Sequence, residues 1–244
     1  MKNTLGISIL VLTMVASVLC TAQNNRFNDR QQFRRDFANG FQLSGHVQLG
    51  LPQNEFSEVF NGYPSGAAAS ASTPLGRSGL FRLGAEFAWN SMGREKSAVE
   101  LFNDAQGIIA GDMAVSSDVH SYHGFLRFSP FEGGFRPYFD VFAGWRTYTT
   151  DTEISYEEVD GTVISTTEEF SRDATNSYGY AAGLMIGLSR NLFFDAKVQV
   201  LRGGEVNYVD QSTLIIDAAA EINYDIRITE TDMLVPQLGI SLVF

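Results

Sequence analysis

Eight charged residues recur at alternate positions within apolar segments, where a strand would turn them all to one face. They are four cations and four anions: Arg82, Glu86, Glu100, Arg127, Asp140, Arg146, Asp195 and Lys197. Enclosed by protein, such a row could form an ion path, or it could form a paired network that fixes strand register. The balance of charge favours the closed network. A turn at Met92-Gly93 would set Glu86 opposite Glu100, a repulsive pair that needs an arginine beside it.

An acidic cluster lies between residues 150 and 175. It consists of Glu153, Glu157, Glu158, Asp160, Glu168 and Glu169, around an Asp160-Gly161 pair that is typical of a hairpin turn. These carboxylates could hold a divalent cation that bridges to lipopolysaccharide, or they could dock another protein. No Asp-x-Asp-x-Asp spacing occurs, so a solvated, protruding hairpin is the preferred interpretation. The sequence predicts no metal and no cofactor.

A third group has the residue types of a hydrolase: Asp118, His120, Ser121 and His123. On a strand, Asp118 and His120 would share one face while Ser121 points to the other, so the three could not form a triad by themselves. His46 stands alone at an inward position. We therefore predict no enzyme and no catalytic residues, and a lipid-modifying enzyme remains a second alternative.

Alternation of apolar and polar residues identifies the elements that must position these groups. There are eight strand-like segments: residues 40–51, 80–90, 97–103, 121–129, 136–149, 177–188, 192–202 and 234–244. The connections alternate between short (91–96, 130–135, 189–191) and long (52–78, 104–120, 150–175, 203–231). The fold class predicted is all-β, an eight-stranded antiparallel transmembrane β-barrel with four long outer loops and short periplasmic turns. An even strand count places both termini in the periplasm.

The two ends of the chain agree with this location. Residues 1–22 read as a secretory signal peptide cleaved after Ala22, with Cys20 as a lipoprotein cysteine the minor alternative. Residues 23–39 form a periplasmic leader, disordered or lying on headgroups, and residues 40–244 form the barrel. The final strand alternates up to a terminal aromatic, so Phe244, Leu242 and Ile240 are predicted to act as an assembly signal and to pair with the first strand.

Charge limits the partners. The chain carries 28 acidic residues against 17 basic ones, a net charge of −11, which argues against nucleic acid as a partner. The four predicted long loops hold 19 of the acidic residues and only three of the basic ones. The outer face is therefore predicted to be anionic.

Three stretches carry a family resemblance: Arg127-Phe-Ser-Pro-Phe131, Phe135-Arg-Pro-Tyr-Phe-Asp-Val-Phe-Ala-Gly-Trp145 and the Phe244 ending. They resemble the outer-membrane β-barrel domain family typical of Bacteroidota, which is similar to the OmpA membrane domain and OmpX. The resemblance covers about residues 40–244 and implies a small barrel inserted by the barrel-assembly machinery. The peptidoglycan-binding domain of OmpA proteins has no counterpart, so cell-wall anchoring is not implied.

Together these observations predict an outer-membrane protein with a structural or surface-interaction role and a lumen plugged by a polar network. A barrel of eight strands is just wide enough for its own side chains, which favours a plug over the alternative of a narrow pore for ions or small solutes. The expected partners are outer-membrane lipid and lipopolysaccharide, the barrel-assembly machinery during insertion, and a possible protein at the outer loops. The barrel is expected to be a monomer.

Overall fold

The computed structural model describes residues 40–60, 62–76, 79–103, 107–131, 133–157, 163–209, 215–216, 222–223 and 226–244. The predicted signal peptide and leader lie outside these residues. Eight strands form the wall: β1 Gln42–Leu49, β2 Ser65–Leu75, β3 Phe81–Asn103, β4 Gly107–Phe128, β5 Phe135–Glu157, β6 Val163–Gly187, β7 Leu192–Gly203 and β8 Met233–Val243. The shorter elements are named below by their ranges.

Each wall strand pairs antiparallel with its neighbour in the chain, and the last pairs with the first. In that closing pair Gln42 is opposite Val243 and Gln48 is opposite Gln237. The Phe244 amide donates to the Phe41 carbonyl at 2.9 Å, which extends the pairing by one residue. Closure leaves no free edge around the described wall, and the predicted eight-stranded antiparallel barrel is confirmed.

The wall is polar inside and apolar outside. Along β1 buried and exposed residues alternate without interruption, with Gln42, Ser44, His46 and Gln48 buried. The exposed large side chains on the barrel wall form an apolar belt: Phe41, Leu43, Val47, Leu49, Leu75, Phe81, Leu83, Phe87, Trp89, Tyr122, Leu126, Phe128, Phe135, Phe139, Val141, Trp145, Tyr178, Tyr180, Val198, Leu238, Ile240, Leu242 and Phe244. A water-soluble protein distributes these residue types the other way.

Two strand assignments differ from the prediction. Strand β2 lies inside the predicted loop 52–78, while residues 81–90 and 97–103 belong to one strand, β3, with no turn at 91–96. The outward positions of β2 include Ala67, Ala69 and Ala71, which are too small to give a strong alternating signal. At the supposed turn the chain continues through a β-bulge between Ser91 and Gly93, where Gly93 has φ 141°.

The two ends of the barrel still differ in how far the chain extends beyond the wall. Residues 76–80, 129–134 and 188–191 link strands at one end of the barrel, which we call the turn end. At the opposite, hairpin end, β3 to β6 continue as a protruding sheet, up to the pairs Asn103 with Gly107 and Glu157 with Val163. Much of the predicted loops 104–120 and 150–175 is therefore strand, and only short tips remain.

The mouth at the hairpin end carries the remaining elements. The chain leaves β1 through a short strand, Leu51–Pro52, which pairs with β8, and then forms the helix α1, Asn54–Val59. Between β7 and β8, Glu205–Val209 pairs with Ile226–Glu230, and Ile215–Ile216 pairs with Ile222–Asn223. Among the described residues no helix is long and apolar enough to cross a membrane.

Candidate functional site

The lower lumen, toward the turn end, is built on one ion pair. Arg127 donates Nε to Asp140 Oδ1 and Nη2 to Asp140 Oδ2, both at 2.8 Å, and both side chains are almost fully buried. The two residues are directly opposite each other on β4 and β5. The Arg127 guanidinium also lies 3.7 Å from the centre of the Tyr138 ring. Bidentate pairing plus a cation–π contact offsets the cost of burying the guanidinium.

Asp195 is the second buried anion of this region. It accepts hydrogen bonds from the Tyr138 hydroxyl at 2.7 Å and from Ser241 Oγ at 2.8 Å. His46 Nε2 lies 3.2 Å from Asp195 Oδ2, with both side chains fully buried. Ser241 and Ser44 hydroxyls are 2.7 Å apart, so the network crosses from β7 through β8 to β1. This polar cluster ties the closing seam of the barrel together.

The middle of the lumen holds Glu86. Lys197 Nζ donates to it at 2.5 Å and Gln199 Nε2 at 2.6 Å, across the lumen from β7 to β3. Glu86 is opposite His123 in the β3–β4 register, and His123 Nε2 lies 2.9 Å from Ser177 Oγ. Further up, Gln48 Nε2 donates to Asn90 Oδ1 at 2.9 Å, and Gln237 Nε2 donates to Gln48 Oε1 at 2.8 Å.

Seven of the eight predicted lumen residues are buried inward: Arg82, Glu86, Arg127, Asp140, Arg146, Asp195 and Lys197. The placement of Glu100 is wrong. Glu100 is opposite Ala110 near the tip of the β3–β4 hairpin, far from Glu86, and its side chain is not described. The error follows from the turn wrongly predicted at 91–96. That turn would have folded residues 97–103 back into the barrel wall as a separate strand.

The loss of Glu100 and the presence of a buried Arg136 leave the lumen unbalanced. Within the described ranges, the wall strands bury five cations (Arg82, Arg127, Arg136, Arg146, Lys197) and three carboxylates (Glu86, Asp140, Asp195). Arg82 binds neutral acceptors, the Gly40 carbonyl at 2.6 Å and Ser72 Oγ at 3.2 Å. The residues that complete the network, among them Tyr138, Gln199 and Ser241, were absent from the predicted set because they carry no charge, although their inward parity could have identified them.

Apolar clusters alternate with the polar ones. Tyr138, Met185, Phe193 and Val243 pack together at the turn end, and Phe125, Phe142, Ala181 and Leu201 pack in the middle. The mouth is filled by a third cluster: Phe56, Phe60, Met92, Val119, Tyr148, Val206, Met233 and Val235. Apolar side chains therefore pack at each end of the lumen, with the ion pairs of Arg127 and Lys197 between them.

A glycine makes room for the aromatic ring that organises the lower network. A Cβ added at Gly183 would lie 2.3 Å from Tyr138 Cζ and 2.4 Å from its hydroxyl oxygen. We predict that Gly183→Ala displaces Tyr138 and lowers the free energy of unfolding by about 1–3 kcal/mol, measured by urea titration of the refolded barrel. Gly45→Ala is the matched control, because nothing lies within 4 Å of a Cβ there. Equal losses in the two variants would contradict this role of Gly183.

The acidic cluster lies on the protruding sheet. Glu153 on β5 contacts Arg94 on β3, with Nη2–Oε2 at 2.5 Å, and accepts from Ser165 Oγ at 3.0 Å. Glu157 ends β5, and Glu168 and Glu169 lie on β6, without described side chains, while Glu158 and Asp160 lie outside the described residues. The predicted hairpin is confirmed, since β5 and β6 pair up to Glu157 and Val163.

Asp173 connects this sheet to the β7–β8 excursion. Its carboxylate accepts from the Asn207 backbone amide at 2.8 Å and from the Asn207 side chain at 2.9 Å. These hydrogen bonds, the backbone one first, hold the pKa of Asp173 below its ordinary value. The contact joins two excursions that the sequence treated as separate loops.

The hydrolase group is not brought together. Ser121 is buried and inward, while His120 is half-buried and its ring centroid lies 6.1 Å from that of Phe87 on the outward face. His123 contacts Ser177 instead of Ser121, and the Glu86 carboxylate beside it is engaged by Lys197 and Gln199. Ser121, His123 and Glu86 are buried side chains on the inward face of the wall.

The predicted assembly residues lie on the outer surface of β8. Ile240, Leu242 and Phe244 are exposed and point into the apolar belt, and Phe244 is 66% exposed. The C-terminal strand also contacts the last short turn, since Asn191 Nδ2 donates to the Val243 carbonyl at 2.6 Å.

A closed antiparallel barrel with an apolar outer belt and a polar lumen is the architecture of transmembrane β-barrel proteins, and this chain has it. No protein-family model matches the chain, and no curated protein matches it.

The structure is similar to solved barrels at very low identity. OprG from Pseudomonas aeruginosa is 12% identical, covers 86% of this chain and 98% of its own, and gives a TM-score of 0.43. A major outer membrane protein from Thermus thermophilus is 12% identical, with 84% and 99% covered and a TM-score of 0.43. Neisserial surface protein A is 10% identical, with 85% and 97% covered and a TM-score of 0.40. The barrel assignment itself depends on the chain's own register and burial.

Proposed function

We propose that this protein is an integral barrel of a bacterial outer membrane, with a sealed lumen and a structural or surface-interaction role carried out by its hairpin end. The observation that carries the proposal is the filling of the lumen. Apolar clusters occupy both ends, and the paired charges Arg127 with Asp140 and Lys197 with Glu86 lie between them. A conducting pore needs a continuous water column, and side chains that fill an eight-stranded interior interrupt such a column.

The location is supported by the belt and by the connections. Closed barrels are the only strand structures that satisfy every backbone group in lipid. In such barrels the short turns face the periplasm and the longer excursions face outward. We therefore place the turn end and both termini in the periplasm and the protruding β3–β6 sheet at the cell surface.

The partners we propose follow from this orientation. The belt contacts outer-membrane lipid and lipopolysaccharide, and Ile240, Leu242 and Phe244 are presented to the barrel-assembly machinery during insertion. The acidic protruding sheet is the surface for a protein partner, because loops and their extensions carry specificity on rigid scaffolds. With the described wall closed on itself and no strand edge left in it, the barrel functions as a monomer.

Conductance tests the sealed lumen. We predict that purified protein in planar bilayers produces no channel steps, and that Glu86→Ala is equally silent because the apolar clusters at both ends remain. A known porin added afterwards to the same bilayer shows that the membrane can report a channel. Reproducible steps in the wild type, changed in size by Glu86→Ala, would replace the sealed barrel with a narrow pore.

A further inference from the structure

One short element, α1, covers part of the apolar cluster at the mouth of the barrel. Phe56 of α1 and Phe60, the residue just after the helix, lie in this cluster, with ring centroids 5.6 Å apart and exposures of 1% and 7%. Six residues are too few for a helix to persist in water by itself. The position of α1 therefore depends on its contacts with the barrel.

The described polar contacts that join α1 and the residue before it to the rest of the barrel end on a single residue, Asp232, which directly precedes β8. Its carboxylate accepts from Asn54 Nδ2 at 2.8 Å, and its carbonyl accepts from the Gln53 amide at 2.9 Å. The carboxylate is held in place by Arg202 and by the Gly203 amide, the latter at 3.3 Å. Among the described hydrogen bonds, the others made by the Gln53 and Ser57 side chains stay within their own segment. Asp232 therefore acts as a latch.

Beneath this element lies Arg146, a buried cation that makes no described ion pair. Arg146 is fully buried and donates Nη1 to the Thr231 carbonyl at 2.9 Å and Nη2 to Met233 Sδ at 3.7 Å. Its Nε makes no hydrogen bond, and among the described ion pairs none includes Arg146. The Asp232 carboxylate is close enough to act on Arg146 electrostatically, but it accepts its side-chain hydrogen bonds from Asn54 and Arg202.

A second unmet donor adjoins the first. The ring of Tyr148 is centred 5.2 Å from Arg146 Cζ, and its buried hydroxyl makes no hydrogen bond of ordinary geometry to a described residue, although Thr231 is nearby. A buried guanidinium is costly without a counter-ion, and so is a buried hydroxyl without an acceptor. An anion would satisfy both.

We propose that α1 is a lid over an anion-binding vestibule, in which Arg146 binds a small carboxylate or inorganic anion that enters from the hairpin end when the Asp232 latch releases. The lid covers only the upper lumen. The network of Arg127, Asp140 and Asp195 lies below it, and none of its described hydrogen bonds reaches α1. Opening the lid therefore admits a ligand without opening a pore, and the proposal goes beyond the sealed barrel described above.

Thiol accessibility beneath the lid tests this. Ser121 is opposite Arg146 in the β4–β5 register and is 3% exposed, so Ser121→Cys places a near-isosteric reporter in the vestibule. Cys20 is the only cysteine of the chain and lies in the predicted signal peptide. The probes are two membrane-impermeant thiosulfonate reagents of similar size, one bearing a sulfonate and the other a trimethylammonium group, added to intact cells.

With the latch intact, Ser121→Cys should react slowly with both reagents. Adding Asp232→Ala should raise the rate with the sulfonate reagent at least tenfold and the rate with the ammonium reagent by less. Adding Arg146→Gln should then abolish the difference between the reagents. Phe56→Ala weakens the lid from its other side and should give the same pattern if Asp232→Ala fails to insert.

Two further cysteine variants distinguish opening of the lid from a general loosening of the barrel. Ser44→Cys, in the lower lumen, should stay unreactive in the Asp232→Ala protein, and Ser165→Cys, exposed on the protruding sheet, should react quickly with both reagents. An unchanged rate at Ser121→Cys in both lid variants, an equal rise at Ser44→Cys, or a reagent preference independent of Arg146 would each overturn the proposal. A slow reaction at Ser165→Cys would instead contradict the proposed orientation of the barrel. The conductance experiment tests the sealed lumen separately, and its result does not depend on any of these labelling outcomes.

Discussion

Replacing Asp140 by alanine is expected to lower the free energy of unfolding by about 3–5 kcal/mol. The substitution removes both acceptors of the Arg127 guanidinium and leaves a cation buried beside Tyr138 with no anion in contact. Removing one partner of a buried pair costs far more than the pair contributes, because the remaining charge cannot reach water. Urea unfolding of the barrel refolded into lipid vesicles measures the loss.

The double variant Arg127→Met with Asp140→Ala shows whether the stability lost in Asp140→Ala comes from an unpaired buried charge or from altered packing. Removing both charges should restore most of the stability lost in Asp140→Ala, because no desolvated ion remains. If the double variant is at least as unstable as Asp140→Ala, the cost lies in packing around Asp140, and the ion pair is not what holds the lower lumen.

The interior could be predicted because a strand has only two faces. Once Arg127 and Asp140 were placed on the face opposite Phe128 and Phe139, their burial followed from parity alone, with no knowledge of the barrel's size. The same rule placed Arg82, Glu86, Arg146, Asp195 and Lys197 correctly. Parity does not state which inward residues touch across the lumen, so the Lys197–Glu86 contact between β7 and β3 required the structure.

The parts that could not be predicted are those where the alternating signal is weak or absent. Strand β2 turns Ala67, Ala69 and Ala71 to the outside, and small residues do not distinguish a lipid face from a loop. The bulge at Gly93 carries β3 past a point where glycine and polar residues suggest a turn. The prediction missed β2 and divided β3 into two strands, so its total of eight was still correct. The division of β3 wrongly placed Glu100 in the lumen.

The position of α1 at the mouth could not be predicted for a different reason. Phe56 and Phe60 lie in and just after a six-residue helix whose register is set by the barrel beneath it, and Asp232 lies 178 residues away from Asn54 in the chain. Nothing local in either segment predicts the contact. Long-range contacts of this kind depend on which excursions meet above the mouth, and that follows only from the completed topology.

Arginine in place of Val141 should have the other large effect, because it places a charge in the middle of the apolar belt. Val141 is outward on β5 and 47% exposed, in a row with Leu83 and Leu126 on the neighbouring strands. An arginine facing lipid at the bilayer midplane costs about 2–4 kcal/mol, falling to about 0–1 kcal/mol near the interfaces. We expect Val141→Arg to lower the free energy of unfolding in vesicles by about 2–4 kcal/mol, the midplane cost, and to reduce the amount of protein inserted in the membrane of cells.

Ser165→Arg is the matched control, because Ser165 is also exposed on a strand but lies on the protruding sheet, where its hydroxyl already contacts Glu153. Its effect should fall within about 0.5 kcal/mol, as for ordinary surface substitutions. The comparison separates the two environments that exposure alone cannot distinguish. If the belt faced water, Val141→Arg would be as mild as Ser165→Arg, since an exposed valine in water loses nothing when a charge replaces it. A large cost at Val141 with none at Ser165 arises only if lipid surrounds the first and water the second.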